Sequence, residues 1–222
     1  MTLALWRSPL SHAIHRNRSL PNARYVQLAT VRPNGTPANR TIVFRGFVAD
    51  QFCQNRLLQN TLQFVTDNRS EKAIEINHQA LGEVCWYFPK TREQFRLGGQ
   101  LILITSESSG NNTSENIFEA AAAIQQAEKP DLPLQAVRSH LWQSLSDNAR
   151  IQFAWPQPGQ ARAGAAAFQP DVPDKMQPIS NFCALLLQPS FVEHLELRGD
   201  PQNRQHYYLD EHSQWQQKSV NP

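Results

Sequence analysis

The first 49 residues contain no aspartate or glutamate, and Asp50 is the first acid. The same stretch holds seven arginines, at positions 7, 16, 18, 24, 32, 40 and 45. The rest of the chain carries 14 basic against 19 acidic residues, net −5, although the whole is only +2. A basic first part beside an acidic remainder points to an anionic partner near the first part, either a phosphorylated small molecule or nucleic acid. Nucleic acid is the weaker of the two, because interleaved aromatics suited to stacking bases are missing there.

Other shortages narrow the field further. No run of 18 apolar residues exists, so no membrane partner is expected. The N-terminus lacks the uninterrupted apolar core and small-residue cleavage site of a secretory signal, and a cytoplasmic location is the expectation. Cys53, Cys85 and Cys183 are few, far apart and without a Cys-x-x-Cys pair. That pattern argues against a disulfide framework or a zinc site and fits a reducing compartment. There is no Gly-x-Gly-x-x-Gly turn, Walker phosphate loop, nucleophile elbow or His-Glu-x-x-His helix.

What is present is 222 residues with 40% hydrophobic content, enough for one sizeable core and read as a single domain over 1–222. Residues 1–20 suggest a short amphipathic helix interrupted near Pro9, with His12 and His15 one turn apart. Without further partners these two histidines read as surface. From Tyr25 the pattern turns to strands. "ARYVQLATV" and "ANRTIVFRGFVA" form a long hairpin around "RPNGTP", with Asn34 and Gly35 supplying positive φ. "TLQFVTD" is a third strand, and Ser70 caps a helix running to about Asn77. "LGEVCWYFP" and "EQFRLGGQLILIT" make a second hairpin.

This succession over 22–106 suggests a mainly β chain closed into a barrel with flanking helices. Residues 107–180 supply an Ala-rich helix at 114–128, a helical segment at 135–150 and long Pro-rich loops. Four strand candidates fill 181–222.

Arg40, Arg45, Thr66, Ser70 and Lys72 concentrate around the early strands. Their common competence is phosphate: Arg offers a fork, Lys a point charge, and hydroxyls at a helix N-terminus offer directed donors. Lys72 in a helix's first turn opposes the dipole. Either a phosphate resolves that conflict, or the side chain snorkels to solvent.

The order "ARYVQLATVRPNGTPANRTIVFRGF", "LQFVTDNRSEKAIEI", "CWYFPKTREQFRLGG" resembles the pyridoxamine 5'-phosphate oxidase family of FMN-binding split barrels, in its oxidase-related branch. The likeness is strongest over 22–105 and looser at "RIQFAWPQPG" and the C-terminal strands. It implies a homodimer with FMN at the interface and a small-molecule substrate. It implies that Arg40 holds the FMN phosphate, that the backbone of Ile42 and Val43 lines the ring, and that Val65 and Thr66 match the family's Tyr-Thr pair. Ser70 and Lys72 match its Ser-Arg-Lys motif, Gln94 its flavin-edge glutamine, and Gln157 and Arg204 the contacts from a partner subunit.

Departures from the pattern are equally specific. Glu71 occupies the middle of the Ser-Arg-Lys motif, placing an acid where a phosphate ligand stands in the family. Arg45 replaces the substrate lysine, and the two are not interchangeable as proton donors. The resemblance places the substrate-gripping Arg-x-His at "GDPQNR", where it is expected to be missing. The expected function is therefore an FMN-dependent oxidoreductase with a different substrate. The alternative is a flavin- or haem-binding protein without turnover, for which His78, His140 and His194 are the histidines to inspect.

Overall fold

The computed structural model describes residues 3–52, 56–107 and 134–222. The expected helix at 114–128 lies outside the described residues.

Helix α1 spans Arg7–Asn17, with Pro9 in its first turn rather than at a break. A proline there costs little, because the first amides of a helix have no intrahelical acceptor. The hairpin β1 (Tyr25–Val31) and β2 (Pro37–Val43) forms in full register, Tyr25 opposite Val43 and Val31 opposite Pro37. Of the two turn residues expected at positive φ, only Gly35 adopts it, at 81°. Asn34 instead uses its side-chain oxygen to accept from Thr36, amide at 3.1 Å and hydroxyl at 2.7 Å.

The expected long return strand ends at Val43. After Phe44 and Arg45 the chain restarts as the two-residue β3 (Gly46–Phe47), which pairs with β4 (Leu62–Asp67). Gly46 makes this corner with φ at 119°. A short helix α2 (Arg56–Gln59) lies between β3 and β4, and α3 (Glu71–His78) follows β4. Then come β5 (Leu81–Phe88) and β6 (Glu93–Ile104), helices α4 (Leu134–Ser144) and α5 (Asp147–Arg150), and strands β7 (Phe182–Glu196), β8 (Asn203–Leu209) and β9 (Trp215–Val220). The loop expected between α5 and β7 carries only 3-10 turns at Ile151–Ala154 and Ala165–Phe168.

The sheet runs β2-β1-β5-β6-β7-β4-β3, with β8 and β9 added beside β7, and every pairing is antiparallel. Its two ends, β2 and β3, are consecutive in sequence, so the sheet must curl until they meet. The result is a split β-barrel. "LILI" and "FCALLL" are continuous apolar runs because their strands are buried on both faces. Leu101, Leu103, Leu185 and Leu187 face the barrel interior, while Ile102, Ile104, Ala184 and Leu186 face α4.

The C-terminal part has three strands, not four. "NFCALLL" and "SFVEHLELRG" merge across Pro189 into β7, whose first half pairs with β4 and whose second half pairs with β8. The register against β6 shifts between Gly98 and Gly99, at the level of Pro189. A bulge accommodates a proline that cannot donate to the ladder.

Gly99 makes that crossing possible, since a Cβ there would lie 2.0 Å from the Gln188 carbonyl oxygen and 2.8 Å from Pro189 Cα. Both are backbone atoms that cannot swing away. We expect Gly99→Ala to destabilise by about 3 kcal/mol or more in urea unfolding. Gly98→Ala, whose Cβ would meet only Glu83 Oε2 at 3.6 Å, is expected to cost far less.

Candidate functional site

Helix α3 closes one end of the barrel and brings four expected residues together there. Ser70 occupies its N-cap position with extended backbone, φ −78° and ψ 152°, but makes no side-chain cap. Its hydroxyl instead donates to the Asp67 carbonyl at 2.7 Å. Lys72 Nζ turns back over the turn to donate to Thr66 Oγ1 at 2.8 Å and Ser70 Oγ at 3.3 Å. Thr66 and Ser70 are buried. Burial lowers the Lys72 ammonium below its ordinary range and the charge of Arg40 lowers it further, against Asp67, Glu75 and Cys183. Lys72 therefore does not snorkel to solvent. It is a desolvated cation held, among the described residues, by two hydroxyls and no carboxylate.

Arg40 is held by a residue that sequence reasoning missed. Its guanidinium donates to Glu75 Oε2 at 2.5 Å, to Thr30 Oγ1 and to the Leu28 carbonyl at 3.3 Å. Thr30 also donates to Glu75 Oε2 at 2.5 Å, and Arg32 lies 3.8 Å from Oε1. Burial alone would raise the Glu75 carboxyl, but hydrogen bonds from Thr30 and Arg40 and the charges of Arg40 and Arg32 hold it below the usual range. The available signal was positional: Lys72 and Glu75 stand three apart on a helix whose Ala73 and Ile76 face the core.

Arg45 sits apart from Arg40, beyond the end of β2. Its amide donates to the Gln63 carbonyl at 2.8 Å, fixing the corner. Burial and the neighbouring charge of Arg24 lower its guanidinium from the ordinary range. Its Nε is buried and has no hydrogen-bond partner among the described residues, and the same holds for Gln63 Nε2. Between the two arginines, Ile42 is buried in the barrel and Val43 is half-buried, while Val65 packs on the opposite face towards α4.

Gln94 and Arg204 form a second group. Both are register partners of Leu195, so they flank one residue from β6 and β8 on one sheet face. Thr66 pairs with Cys183 on the same strand β7, which leaves about 40 Å of strand path between the groups. Arg204 donates to buried Glu193 at 2.9 Å, which also engages His206 at 3.2 Å and Arg96 at 3.7 Å. Burial pushes the Glu193 carboxyl up, and the hydrogen bond and charge of Arg204, the charge of Arg96 and the hydrogen bond to His206 outweigh it and pull it low.

Gln157 lies on an exposed loop whose base is tied to the α3 end of the same chain. Arg69 grips Asp67 through both carboxylate oxygens, at 3.0 and 2.7 Å, and donates to the Trp155 carbonyl at 3.0 Å. Glu71 is exposed and outside the Lys72 cluster of hydroxyls. Cys183 lies nearby, but burial raises its thiol to about 12, so it stays protonated and is no nucleophile. His78 and His140 are exposed, and His194 is buried against Glu93.

Residues 3–105 match the family model described as Pyridoxamine 5'-phosphate oxidase, FMN-binding domain. The chain is 32% identical over 197 residues to the Arabidopsis thaliana protein named Pyridoxine/pyridoxamine 5'-phosphate oxidase 2, covering 88% of this chain and 85% of the relative. A solved structure from Nostoc punctiforme PCC 73102, described as a pyridoxamine 5'-phosphate oxidase-related, FMN binding protein, superposes with a TM-score of 0.82 and 48% identity over 100% of both chains. PhzG from Burkholderia lata 383 shares the fold, with a TM-score of 0.66 at 16% identity over 98% of this chain and 90% of its own. The fold thus agrees with these structures, and the chain belongs to the pyridoxamine 5'-phosphate oxidase family, with FMN as its cofactor.

Proposed function

We propose that the protein is an FMN-dependent oxidoreductase, working as a homodimer, whose small-molecule substrate is not pyridoxamine 5'-phosphate. The observation that carries the reading is Lys72, a desolvated ammonium bound, among the described residues, only by the hydroxyls of Thr66 and Ser70. Burying a cation without a directly bound carboxylate is costly, and a phosphate dianion is the group that would offset it. The donor set therefore fits the phosphate of FMN, with Lys72, Ser70, Thr66 and Arg40 as its holders. When bound, FMN supplies a ring that accepts a hydride from substrate and passes electrons on.

The remaining residues orient and exclude. Glu75 and Thr30 fix the Arg40 guanidinium, so Arg40 meets the ligand without losing rotamer freedom at that moment. The backbone of Ile42 and Val43 leads from the phosphate end towards Arg45, whose unpartnered Nε and neighbour Arg24 favour an anionic group at the ring or substrate mouth. Gln94 and Arg204 are too distant along β7 to join Lys72 within one chain. Their flavin contacts, like those of Gln157, are assigned across the dimer, which supports a site completed by a second subunit. Arg204-Gln205-His206 at the start of β8 has the family's Arg-x-His spacing, but both side chains are tied to the buried Glu193, at 2.9 and 3.2 Å, which supports a substrate other than pyridoxamine 5'-phosphate.

Three outcomes test this reading. FMN titration should quench flavin fluorescence, and Lys72→Met should weaken affinity roughly tenfold to a hundredfold while stabilising the flavin-free protein; unchanged affinity removes the phosphate assignment. Lys72 is the cleaner probe because Arg40 also neutralises Glu75.

Glu75 has a folded pKa below its unfolded value, so its stabilisation is fully present above about pH 4.3 and is lost as the pH falls through the folded value. Glu75→Gln should cost about 2 kcal/mol near neutrality and flatten the stability profile between about pH 5 and 3, read by urea unfolding across pH.

Pyridoxamine 5'-phosphate should yield no pyridoxal 5'-phosphate above a flavin blank. Sustained turnover would instead give this chain the substrate that its Arabidopsis relative is named for.

A further inference from the structure

At the opposite end of the barrel from Lys72, α1 lies over the start of β6, the end of β7 and the start of β8. Between them is a cavity of about 340 Å³ lined by residues that include His12, Glu93, His194, Glu196 and Tyr207. Glu93, His194 and Glu196 each present a ligand atom, and the three atoms lie within 4.8 Å of one another. His194 is 5% exposed and its ring stacks on Phe95, centroids 4.1 Å apart and 11° from parallel. That packing fixes the direction of Nε2, which lies 2.8 Å from Glu93 Oε2.

One feature of this cluster exceeds what a hydrogen-bond network needs: two carboxylates converge on one imidazole, whose Nε2 can bond only one of them at a time. Among the described residues Glu196 otherwise receives only the Asn203 amide, at 3.3 Å, and Arg16 is the single arginine lining the cavity. Tyr207, 3% exposed, also lines the cavity.

We infer that Glu93, His194 and Glu196 form a binding site for a divalent first-row transition cation of the zinc class, its open position facing the cavity that His12 of α1 also lines. One imidazole with two carboxylates is a nitrogen and oxygen donor set, which suits zinc and its neighbours better than calcium or magnesium. The wide cysteine spacing speaks only against thiolate sites. His12, a surface histidine by sequence alone, lines a cavity whose other wall comes from strands more than 80 positions away.

The site is separate from the flavin contacts. Glu93, His194 and Tyr207 point to the barrel side of their strands, and Gln94 and Arg204 stand on the other side. The cation would tie the start of β6 to the end of β7 beneath α1. Tyr207 would hydrogen-bond to a carboxylate ligand or a metal-bound water.

The test uses the full-length chain with its flavin, stripped of metal by chelator and titrated with Zn²⁺ and with Co²⁺ as a spectroscopic probe. The expected result is one equivalent bound per chain, cobalt ligand-field bands of a nitrogen and oxygen set, and a raised melting temperature. Glu196→Gln and Glu93→Gln should each weaken binding at least tenfold, His12→Ala less, with flavin retained in all three. His194→Ala is avoided because it also removes the Phe95 stack. No saturable binding, or binding unchanged in the Glu93→Gln, Glu196→Gln double variant, overturns the proposal. Loss of flavin affinity in Lys72→Met bears only on the phosphate assignment and leaves this test independent.

Discussion

Two residues, Phe44 and Arg45, separate the strands at opposite ends of the sheet, and a link that short reaches only about 10 Å. Seven strands must therefore curl until β2 and β3 are neighbours. The link is fixed at both residues, the Phe44 amide donating to the Arg24 carbonyl and the Arg45 amide to the Gln63 carbonyl, each at 2.8 Å. Phe44 turns inward against Phe47, Phe64 and Trp86. Arg45 is thereby left facing the other way, half-buried at the corner. The same constraint that closes the barrel thus places a cation at its seam.

A barrel has two open ends, and here each receives a helix. Helix α1 sends Trp6, Leu10 and Ala13 into the interior at one end, and α3 sends Ala73 and Ile76 in at the other. Each helix carries polar residues over the strand termini it covers, which concentrates titratable groups at the mouths and leaves the middle apolar. At the α3 mouth those groups are mostly cations arranged around the buried carboxylate of Glu75. At the α1 mouth they are two carboxylates around one buried imidazole. The uneven charge along the chain reappears as opposite character at the two ends.

Most strands were legible because alternation and turn chemistry are local. The hairpins around Gly35 and around Lys90 follow from their residues alone, and so does the helix opening after Ser70. The junction at Pro189 was not, because a proline there reads as a break unless Gly99 stands opposite to let the backbones cross. The return strand from Pro37 was overextended for a related reason: β-branched and aromatic residues continue to Val48, but Gly46 lets the chain turn onto a different partner. At the candidate site, Arg40, Thr66, Ser70 and Lys72 were legible by type and position. Glu75, Thr30 and Arg69 were not, because their roles depend on which strands lie beneath α3 and which loop passes Asp67.

By itself the sequence determined a mainly β chain, an anion-suited cluster near the start of α3, and the motif order shared with a flavin-binding family. These depend on side-chain type, local periodicity and spacing, all of which survive without tertiary contacts. Only the tertiary structure decided that Lys72 is desolvated without a carboxylate, that Arg40 is paired, and that Gln94 and Arg204 flank one residue far from both. It alone brought His194 and Glu196 to Glu93 beneath α1. Those facts come from strand register and barrel closure, which join residues separated by more than 100 positions and leave no trace in any local stretch of chain.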